Sequence, residues 1–469
     1  MKNARSLLPA HAGRRRTPAL LSTVVVAAIV VMAAGYLLKA QCFGPVFDAH
    51  GASGPDVFRR SSVDLCYSDI QTLWSSRALF DHVFPYLHGG LTGGYLPPGF
   101  IEYPVLGGVI VYLLALPAGT DFAFFNLSAV ALAACGAGTA YLLARFCGRR
   151  ALWFALAPAL VLYSFLNWDL MVVLATVGAL VCVRKAALAQ RGTGRDGRWL
   201  AAAAVLLAAG GALKFYPLMF VLPVALWLAF GGTGRDGAPA SARWRTALLF
   251  AATAGGVFIL LNVPFLVLDY RGWAAAYHFQ WSRPIDFTTN SIWYWGSRPR
   301  DVNDPALQRM LSTDSTLATA AGLVLAAGAG VLLRRRFGAY PWLQVCAAML
   351  CLYLLLNKVH SPQYMLWLLP FFVLLRIRWG WIVAYSVVDA CIGVGAMLMF
   401  SQGLDIGSGA AAQLVMIGVW GRAALLPVLA VAFLAAAPAW TAPAVGRKMH
   451  GTPPELSAPA QRKIEVLAG

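Results

Sequence analysis

A few polar clusters interrupt an otherwise apolar chain, and they are where chemistry is expected. In the segment LCYSDIQTLWSSRALF at 65–80, Asp69 opens an amphipathic stretch. A carboxylate there can act as a general base that removes a proton from a hydroxyl group. It can also be a helix N-cap, a common position for aspartate. Tyr67 and Arg77 flank it, which an N-cap does not require, so we interpret Asp69 as the catalytic base.

Two further clusters offer cations. Lys214 ends the apolar run 199–214, where a lysine is usually paired or functional. The alternative is a lysine whose ammonium reaches up to the membrane surface. Lys358, His360 and Gln363 lie in the segment 357–364 between two apolar runs. A plain turn does not need this set, and cations there would bind a phosphate oxyanion. We predict a phosphate site made of Lys214, His360, Lys358 and Gln363.

The remaining polar groups leave more than one interpretation open. Glu102 favours either a helix start or a substrate contact. Asp169 in NWD suits a tight turn as well as a site. The aromatic segment 270–295 suits a sugar and also an interfacial belt. Asp389 lies mid-span, where an acid is either functional or hydrogen-bonded to a neighbouring helix. The predicted sugar or acceptor contacts are Tyr67, Arg77, Glu102, Asp169, Arg283 and Trp281.

Composition fixes the class of protein that must position these residues. The 469 residues are 59% hydrophobic and only 12% charged, with a mean hydropathy of +0.67. Soluble domains have about 25% charged residues, so we predict an all-α polytopic membrane protein. The net charge of +18 follows the predicted topology and does not indicate nucleic-acid binding. DxD, HExxH and CxxC motifs are absent from the sequence, so no metal site is predicted and a divalent metal requirement stays open.

The positive-inside rule gives a topology. Apolar runs occur near 19–38, 104–118, 122–144, 151–166, 168–184, 199–214, 217–230, 246–268, 316–333, 340–356, 363–378, 379–400 and 411–437. All basic clusters fall on one side only if the short run 104–118 does not cross the membrane. We therefore predict about twelve transmembrane helices, with 104–118 as a juxtamembrane helix and both termini cytoplasmic. The long outer loops are then 39–121 and 269–315.

Smaller features complete this picture. The run 19–38 is longer than a signal-peptide core and is expected to be a retained first helix. Cys42 and Cys66 share the first outer loop, where a disulfide and two free thiols remain open alternatives. The sequence TGRDG occurs at 193–197 and 233–237 and is interpreted as a flexible connector. We predict a catalytic membrane module over 1–315, C-terminal helices over 316–440 and a disordered cytoplasmic tail over 441–469.

The order of these elements resembles a known group of enzymes. A first helix, a large outer loop with an aspartate, six helices and a second outer loop resemble the GT-C superfamily of polyprenyl-phosphate-dependent glycosyltransferases. The pieces YSD at 67–69, EYP at 102–104, NWD at 167–169, KFYP at 214–217 and HSPQY at 360–364 are similar to the actinobacterial glycosyltransferase family 87 group. The resemblance spans about 1–380.

The resemblance implies a function in envelope biosynthesis. A sugar, with mannose first, would move from a polyprenyl-phosphate donor to a glycolipid or glycan acceptor on the outer face of the cell membrane. Asp69 would be the base of an inverting displacement, and Lys214, His360 and Lys358 would meet the leaving phosphate. Two rivals are a transporter or flippase of lipid-linked sugars, which would suit Asp389, and a non-catalytic envelope assembly protein.

Overall fold

The computed structural model describes residues 17–54, 60–61, 63–91, 96–189, 195–232, 239–297, 303–401 and 409–441. The predicted disordered tail lies outside the described residues from 442 onward, as does the second TGRDG segment. The first TGRDG segment runs into a helix that begins at Arg195.

The regular secondary structure of the described residues is helical, apart from two isolated β-bridges. In chain order the α-helices are α1 (Pro18–Ala40), α2 (Asp69–Ser76), α3 (Val105–Ala115), α4 (Asp121–Cys147), α5 (Leu152–Ala155), α6 (Pro158–Tyr163), α7 (Asp169–Leu188), α8 (Arg195–Leu213), α9 (Val221–Ala229), α10 (Ala240–Leu268), α11 (Tyr270–Ser282), α12 (Ile292–Ser297), α13 (Pro305–Phe337), α14 (Trp342–Leu356), α15 (Met365–Leu374), α16 (Trp379–Ser401) and α17 (Ala410–Ala435). Short 3₁₀ helices lie at Leu79–Asp81, Gly148–Ala151, Tyr216–Phe220, Phe287–Thr289 and Pro362–Tyr364.

Within these ranges, eight helical segments are long and apolar enough to cross a membrane. They are Pro18–Ala40, Asp121–Ala155, Asp169–Leu188, Arg195–Leu213, Ala240–Leu268, Pro305–Phe337, Trp379–Met399 and Ala410–Ala435. The prediction of an all-helical, multi-pass membrane protein is confirmed.

The other four predicted spans are shorter or broken. Apolar helices occupy Tyr216–Ala229, Trp342–Leu356 and Pro362–Leu374. A helix of 15 residues rises about 22 Å, less than a hydrocarbon core of about 30 Å. The predicted span 151–166 is divided before Pro158. Proline has no N–H with which to continue the preceding helix, so a new helix, α6, begins at Pro158. The run 104–118 contains only the 11 residues of α3, too short to cross.

The helices differ in how far their side chains are buried, and this distinguishes a central helix from peripheral ones. All ten residues of α15 are buried, so this short helix lies inside the bundle. The long helices α10 and α13 instead expose apolar side chains such as Val267 at 72% and Leu332 at 79%. Such surfaces are suited to lipid rather than water.

The first loop is fixed on both sides of the segment that leads to Asp69. Cys42 and Cys66 form a disulfide with a Cα–Cα distance of 6.2 Å. Lys39, at the end of α1, donates from Nζ to the carbonyl of Leu65 at 3.1 Å. Ser53 donates from its backbone N–H and its hydroxyl to the carboxylate of Asp121 at the start of α4. These contacts hold α2 against the helical bundle.

The second loop is tied to the first by one aspartate. Asp269 caps α11 by accepting from the Gly272 N–H at 3.0 Å, and its other oxygen accepts from the Gly89 N–H at 2.6 Å. These hydrogen bonds lower the pKa of the Asp269 carboxyl below its usual range. The two loops therefore form the walls of one cavity.

Candidate active site

A cavity of about 650 Å³ lies where the two loops meet the segment 353–367 and one face of α16. This volume falls within the range of small-molecule sites. Eight of the predicted site residues line it, namely Tyr67, Asp69, Arg77, Glu102, Lys214, Arg283, Lys358 and Gln363. The cavity lining does not include Asp169, Trp281 or His360.

The side chain of Asp69 faces the cavity and is not a helix cap. Ser68 is the N-cap of α2, since its hydroxyl oxygen accepts from the Ile70 N–H at 3.3 Å. The Asp69 N–H donates to the carbonyl of Leu166, which joins α2 to the NWD turn. The Asp69 carboxylate is therefore available for other partners.

Those partners are neutral donors. Asp69 Oδ1 accepts from the Tyr67 hydroxyl at 2.9 Å, and Oδ2 accepts from Asn167 Nδ2 at 2.8 Å. Asn167 Nδ2 also donates to the Tyr103 hydroxyl oxygen at 2.8 Å. Burial raises the pKa of the Asp69 carboxyl above its usual range, although Asn167, Tyr67 and the charge of Lys214 oppose the shift. A carboxylate with a raised pKa is a stronger base, which suits proton abstraction.

The two tyrosines stay protonated in this setting. Burial, together with the charge of Asp69, raises the pKa of Tyr67 and of Tyr103 well above their usual range. They therefore orient Asp69 and Asn167 as neutral groups. The side chain of Asn167 is also held by its Oδ1, which accepts from the Trp168 N–H at 2.6 Å.

Lys214 is paired, not free. Its Nζ donates to both carboxylate oxygens of Asp169 at 2.8 Å, and Trp367 Nε1 donates to the same carboxylate at 2.7 Å. The Asp169 side chain is 0% exposed and the Lys214 side chain 14%. Direct contact of Asp169 with a sugar does not fit this geometry, because Lys214 and Trp367 cover its carboxylate.

A second ion pair lies on the wall near α2. Arg77 Nε and Nη2 donate to the two carboxylate oxygens of Glu102 at 2.7 and 3.0 Å. The rings of Phe100 and Phe279 lie 5.6 and 5.8 Å from the Arg77 guanidinium carbon. Gln280 donates to the Glu102 carbonyl. This wall presents aromatic and polar groups with no net charge.

The opposite wall carries two cations that form no direct ion pair with a described carboxylate, and Asp286 on the same wall is joined to one of them, Arg283, through the Thr288 hydroxyl. Lys358 Nζ donates to the backbone carbonyls of Trp281 at 2.6 Å and Arg283 at 3.1 Å. Arg283 donates to the Thr288 hydroxyl oxygen at 3.1 Å. Burial and the charge of Arg283 lower the pKa of Lys358. An anion bound here would relieve the repulsion between these cations.

Besides Asp169, two more predicted site residues lie outside the cavity lining. Trp281 is 72% exposed, and it is its backbone carbonyl that meets Lys358. His360 is 5% exposed, and burial with the charge of Arg422 lowers its pKa well below the usual range. A neutral, enclosed imidazole does not supply the phosphate cation that the sequence predicts.

Sequence reasoning missed Arg422 and gave too little weight to Asn167 and Tyr103. Arg422 is a lone arginine inside the last apolar run, which is a recognisable signal for a functional or paired residue. In the sequence, Asn167 stands in the NWD motif, which also suits a turn, and Tyr103 stands in the EYP motif. Their contacts join segments far apart in sequence, so no local pattern marks them. Among the described residues, no group of three or more histidine, cysteine, aspartate or glutamate residues is placed to hold a metal.

Comparisons with known proteins give only remote likenesses. No family model and no curated protein matches the chain. Among solved structures, the chain is similar to the apo oligosaccharyltransferase of Archaeoglobus fulgidus at a TM-score of 0.42 and 13% identity, over 88% of this chain and 56% of that chain. It is also similar to the archaeal oligosaccharyltransferase AglB from Archaeoglobus fulgidus in complex with an inhibitory peptide and a dolichol-phosphate, at the same score and identity, over 87% and 56%. The chain thus spans about half the length of these structures, and a likeness this remote carries no argument about its activity.

Proposed function

We propose that this protein is a membrane glycosyltransferase. It transfers a sugar from a polyprenyl-phosphate donor to a hydroxyl of an envelope glycolipid or glycan, with mannose as the first sugar to test. One observation carries the proposal: a single cavity holds a carboxylate without a cationic partner, Asp69, and two cations that form no direct ion pair with a described carboxylate, Arg283 and Lys358. A base and cations in one cavity favour displacement of a phosphate by a hydroxyl, because the base removes the proton and the cations stabilise the leaving phosphate.

The chemistry follows from the two sides of the cavity. Asp69 removes the proton of the acceptor hydroxyl, and the oxygen forms a bond to the anomeric carbon with inversion. The bond from that carbon to the phosphate oxygen breaks, and the polyprenyl phosphate leaves with the electron pair. Arg283 and Lys358 stabilise the negative charge on the leaving oxygen. Gln363 lines the same wall and adds an uncharged donor.

Lys214 serves this site in a different way from the one the sequence predicts. Its charge is neutralised by Asp169, so it adds little net charge to a phosphate site. Two of its three N–H groups are directed to Asp169, and a lysine ammonium carries three. The third is available to a substrate oxygen in the cavity that Lys214 lines.

The uncharged wall suits the acceptor. Arg77 and Glu102 form a planar ion pair with no net charge, and Phe279 and Gln280 lie beside it. Hydroxyl groups hydrogen-bond to such a pair without having to neutralise it, and aromatic rings pack against sugar faces. The acceptor hydroxyl would then reach Asp69 from this side.

The topology belongs to the same proposal. Both termini are placed in the cytoplasm and the cavity on the outer face of the cell membrane. The disulfide between Cys42 and Cys66 supports this, since disulfides persist on the oxidising side of a membrane. In this scheme the catalytic module extends past the predicted boundary at 315, because later residues such as Lys358, Gln363 and Met397 also line the cavity.

A transporter or flippase gains no support from the described residues. The mid-span Asp389 that would suit one is paired with Arg422, so it is not free to carry a proton or a cation. A non-catalytic assembly protein would not need Asp69 to face a cavity with a raised pKa.

The experiment that tests the proposal compares the wild type with Asp69→Asn. Purified protein in lipid receives radiolabelled polyprenyl-phospho-mannose and an envelope glycolipid extract. Asp64→Asn is the matched control, because Asp64 is exposed in the same loop and does not line the cavity. Label should move to a new product with the wild type and Asp64→Asn, and not with Asp69→Asn.

Other outcomes lead elsewhere. If no label moves from the mannose donor, polyprenyl-phospho-arabinose is the next donor. Transfer from neither donor, combined with movement of a fluorescent lipid-linked sugar between the leaflets of a vesicle, would replace the transferase with a flippase.

A further inference from the structure

An ion pair lies between the two C-terminal helices α16 and α17. Asp389 and Arg422 are 2% and 1% exposed, and an Arg422 Nη2 donates to Asp389 Oδ1. Tyr163 fixes the same turn of α16 by donating to the Asp389 carbonyl at 3.1 Å. Replacing a buried ion pair with apolar side chains of similar size often leaves stability unchanged or raises it. The pair is therefore not needed merely to hold two apolar helices together.

Arg422 also reaches the wall of the cavity. Its Nη1 donates to the His360 carbonyl at 3.4 Å and its Nη2 to the Pro362 carbonyl at 3.3 Å. The same short segment supplies Lys358 and Gln363 to the cavity. The planar guanidinium has several donors in a fixed arrangement and can hold a carboxylate and two carbonyls at once.

Asp389 lies on the helix that forms a second wall of the cavity. Gly393, Ala396 and Met397 line it, and they follow Asp389 on α16 at spacings of four, seven and eight residues. Residues at these spacings share one face of a helix. A Cβ at Gly393 would lie 2.1 Å from the Tyr163 hydroxyl oxygen, so α16 packs closely here. The ion pair thus links the helix face that lines the cavity to the segment that carries Lys358.

We propose that Asp389 and Arg422 are positioning residues for the phosphate end of the cavity. Arg422 holds the backbone of residues 360–362, and Asp389 holds Arg422 and ties it to the cavity face of α16. The pair does not touch substrate. It fixes the direction in which Lys358 and Gln363 enter the cavity, and it makes α16 and α17 part of the site. The identity of the ligand at that end rests on the proposed function.

The test uses two variants of the full chain in lipid. The double variant Asp389→Leu/Arg422→Leu removes both charges, and Arg422→Lys keeps the charge but loses the planar fork. Arg335→Leu, on the exposed surface of α13, is the control. Thermal unfolding should stay within about 4 °C of the wild type, a small change for a chain of this size. The KM for the polyprenyl-phosphate donor should rise about 10- to 100-fold, as expected when a displaced Lys358 loses its charge-assisted contact with the phosphate, with the acceptor KM unchanged.

A second readout does not depend on turnover. Hydrogen exchange of the backbone amides of 357–364 should speed up in both variants and not in the control. Adding a polyprenyl phosphate alone should protect this segment in the wild type and much less in the variants. A merely structural role would change exchange throughout α16 and α17 and would raise both KM values together.

The outcomes separate this inference from the proposed function. Unchanged exchange at 357–364 in a folded variant overturns the positioning role, whatever the activity. Faster exchange in the variants and protection by polyprenyl phosphate in the wild type, without any sugar transfer, retain the positioning role and overturn the transferase. If the double variant does not fold, Arg422→Lys decides the question.

Discussion

Asp69 and Asp169 begin two helices in similar ways, yet the fold gives them different surroundings. Each is the first residue of its helix, α2 and α7, and each follows a polar residue and an aromatic one within a short motif. Asp69 accepts from the neutral donors Tyr67 and Asn167 and faces the cavity. Asp169 is fully buried and accepts from Lys214 and Trp367.

The difference shows which carboxylate is able to do chemistry. The Asp169 carboxylate is covered by the Lys214 ammonium at 2.8 Å and by the Trp367 N–H at 2.7 Å, so an acceptor hydroxyl cannot reach it. Burial without a cationic partner instead raises the pKa of Asp69. Removing the charge of Asp69 is therefore expected to reduce turnover, whereas removing the charge of Asp169 is expected to reduce stability.

The largest effect is expected at Asp69. Asp69→Asn keeps the size of the side chain and one acceptor oxygen, which can still accept from Asn167, but it removes the base. Turnover should fall about 10²- to 10⁴-fold, the usual contribution of general-base catalysis, with the donor KM little changed. Initial rates of sugar transfer measure this. Equal losses of turnover in Asp69→Asn and a fully folded Asp169→Asn would remove the distinction between the two carboxylates.

Asp169→Asn should instead reduce stability. It leaves the Lys214 ammonium in a mostly buried site without its carboxylate. Breaking a buried pair costs about 3–5 kcal/mol, and contact of Lys214 with the cavity places the expected loss at the lower end. Chemical denaturation in detergent measures it. The double variant Asp169→Asn/Lys214→Met removes the unpaired charge and should recover most of the loss, whereas no recovery would mean that the ion pair is not the cause.

This contrast also marks how far the sequence predicts the molecule. Apolar runs were enough to predict the long helices, because length and hydropathy determine which segments can span a membrane. The ion pairs were not predictable, because Lys214 lies 45 residues from Asp169 and Arg422 lies 33 residues from Asp389. A local pattern shows that a buried lysine needs a partner, but only the packing of helices shows which partner it has.

The cavity residues were predicted unevenly for the same reason. The sequence predicted that Asp69, Lys358 and Gln363 belong to one site, because the predicted topology puts their segments on the same side of the membrane. The burial of His360 depends on Thr289 and Arg422, which contact its backbone from elements distant in the chain. Polarity in a sequence therefore locates a site more reliably than it assigns roles within the site.

The cationic wall gives a smaller and more selective effect. Lys358→Gln and Arg283→Gln should each raise the donor KM about 10- to 100-fold, the range for a hydrogen bond to a charged group, and leave the acceptor KM unchanged. Arg271→Gln is the control, since Arg271 is exposed on α11 and does not line the cavity. Titration of each variant with donor at saturating acceptor measures the effect. If a folded Lys214→Met variant raised the donor KM more than Lys358→Gln does, Lys214 rather than Lys358 would be the main phosphate contact.

The smallest expected effect is a change in stability with pH, and it tests the surroundings of Asp69 directly. Because the folded pKa of Asp69 is raised above the ordinary value of 3.8, the folded state binds more protons than the unfolded state between those two pKa values. The free energy of unfolding contributed by Asp69 therefore falls as pH rises through this window, and it stays lower at neutral pH. Asp69→Asn should then match or exceed the stability of the wild type at pH 7, with the advantage disappearing below pH 3.8. Activity should move the other way, rising with pH as the carboxylate ionises. If Asp69→Asn were less stable than the wild type at pH 7, the carboxylate would be stabilising the fold, and its neutral surroundings would not be those of a base held ready for proton transfer.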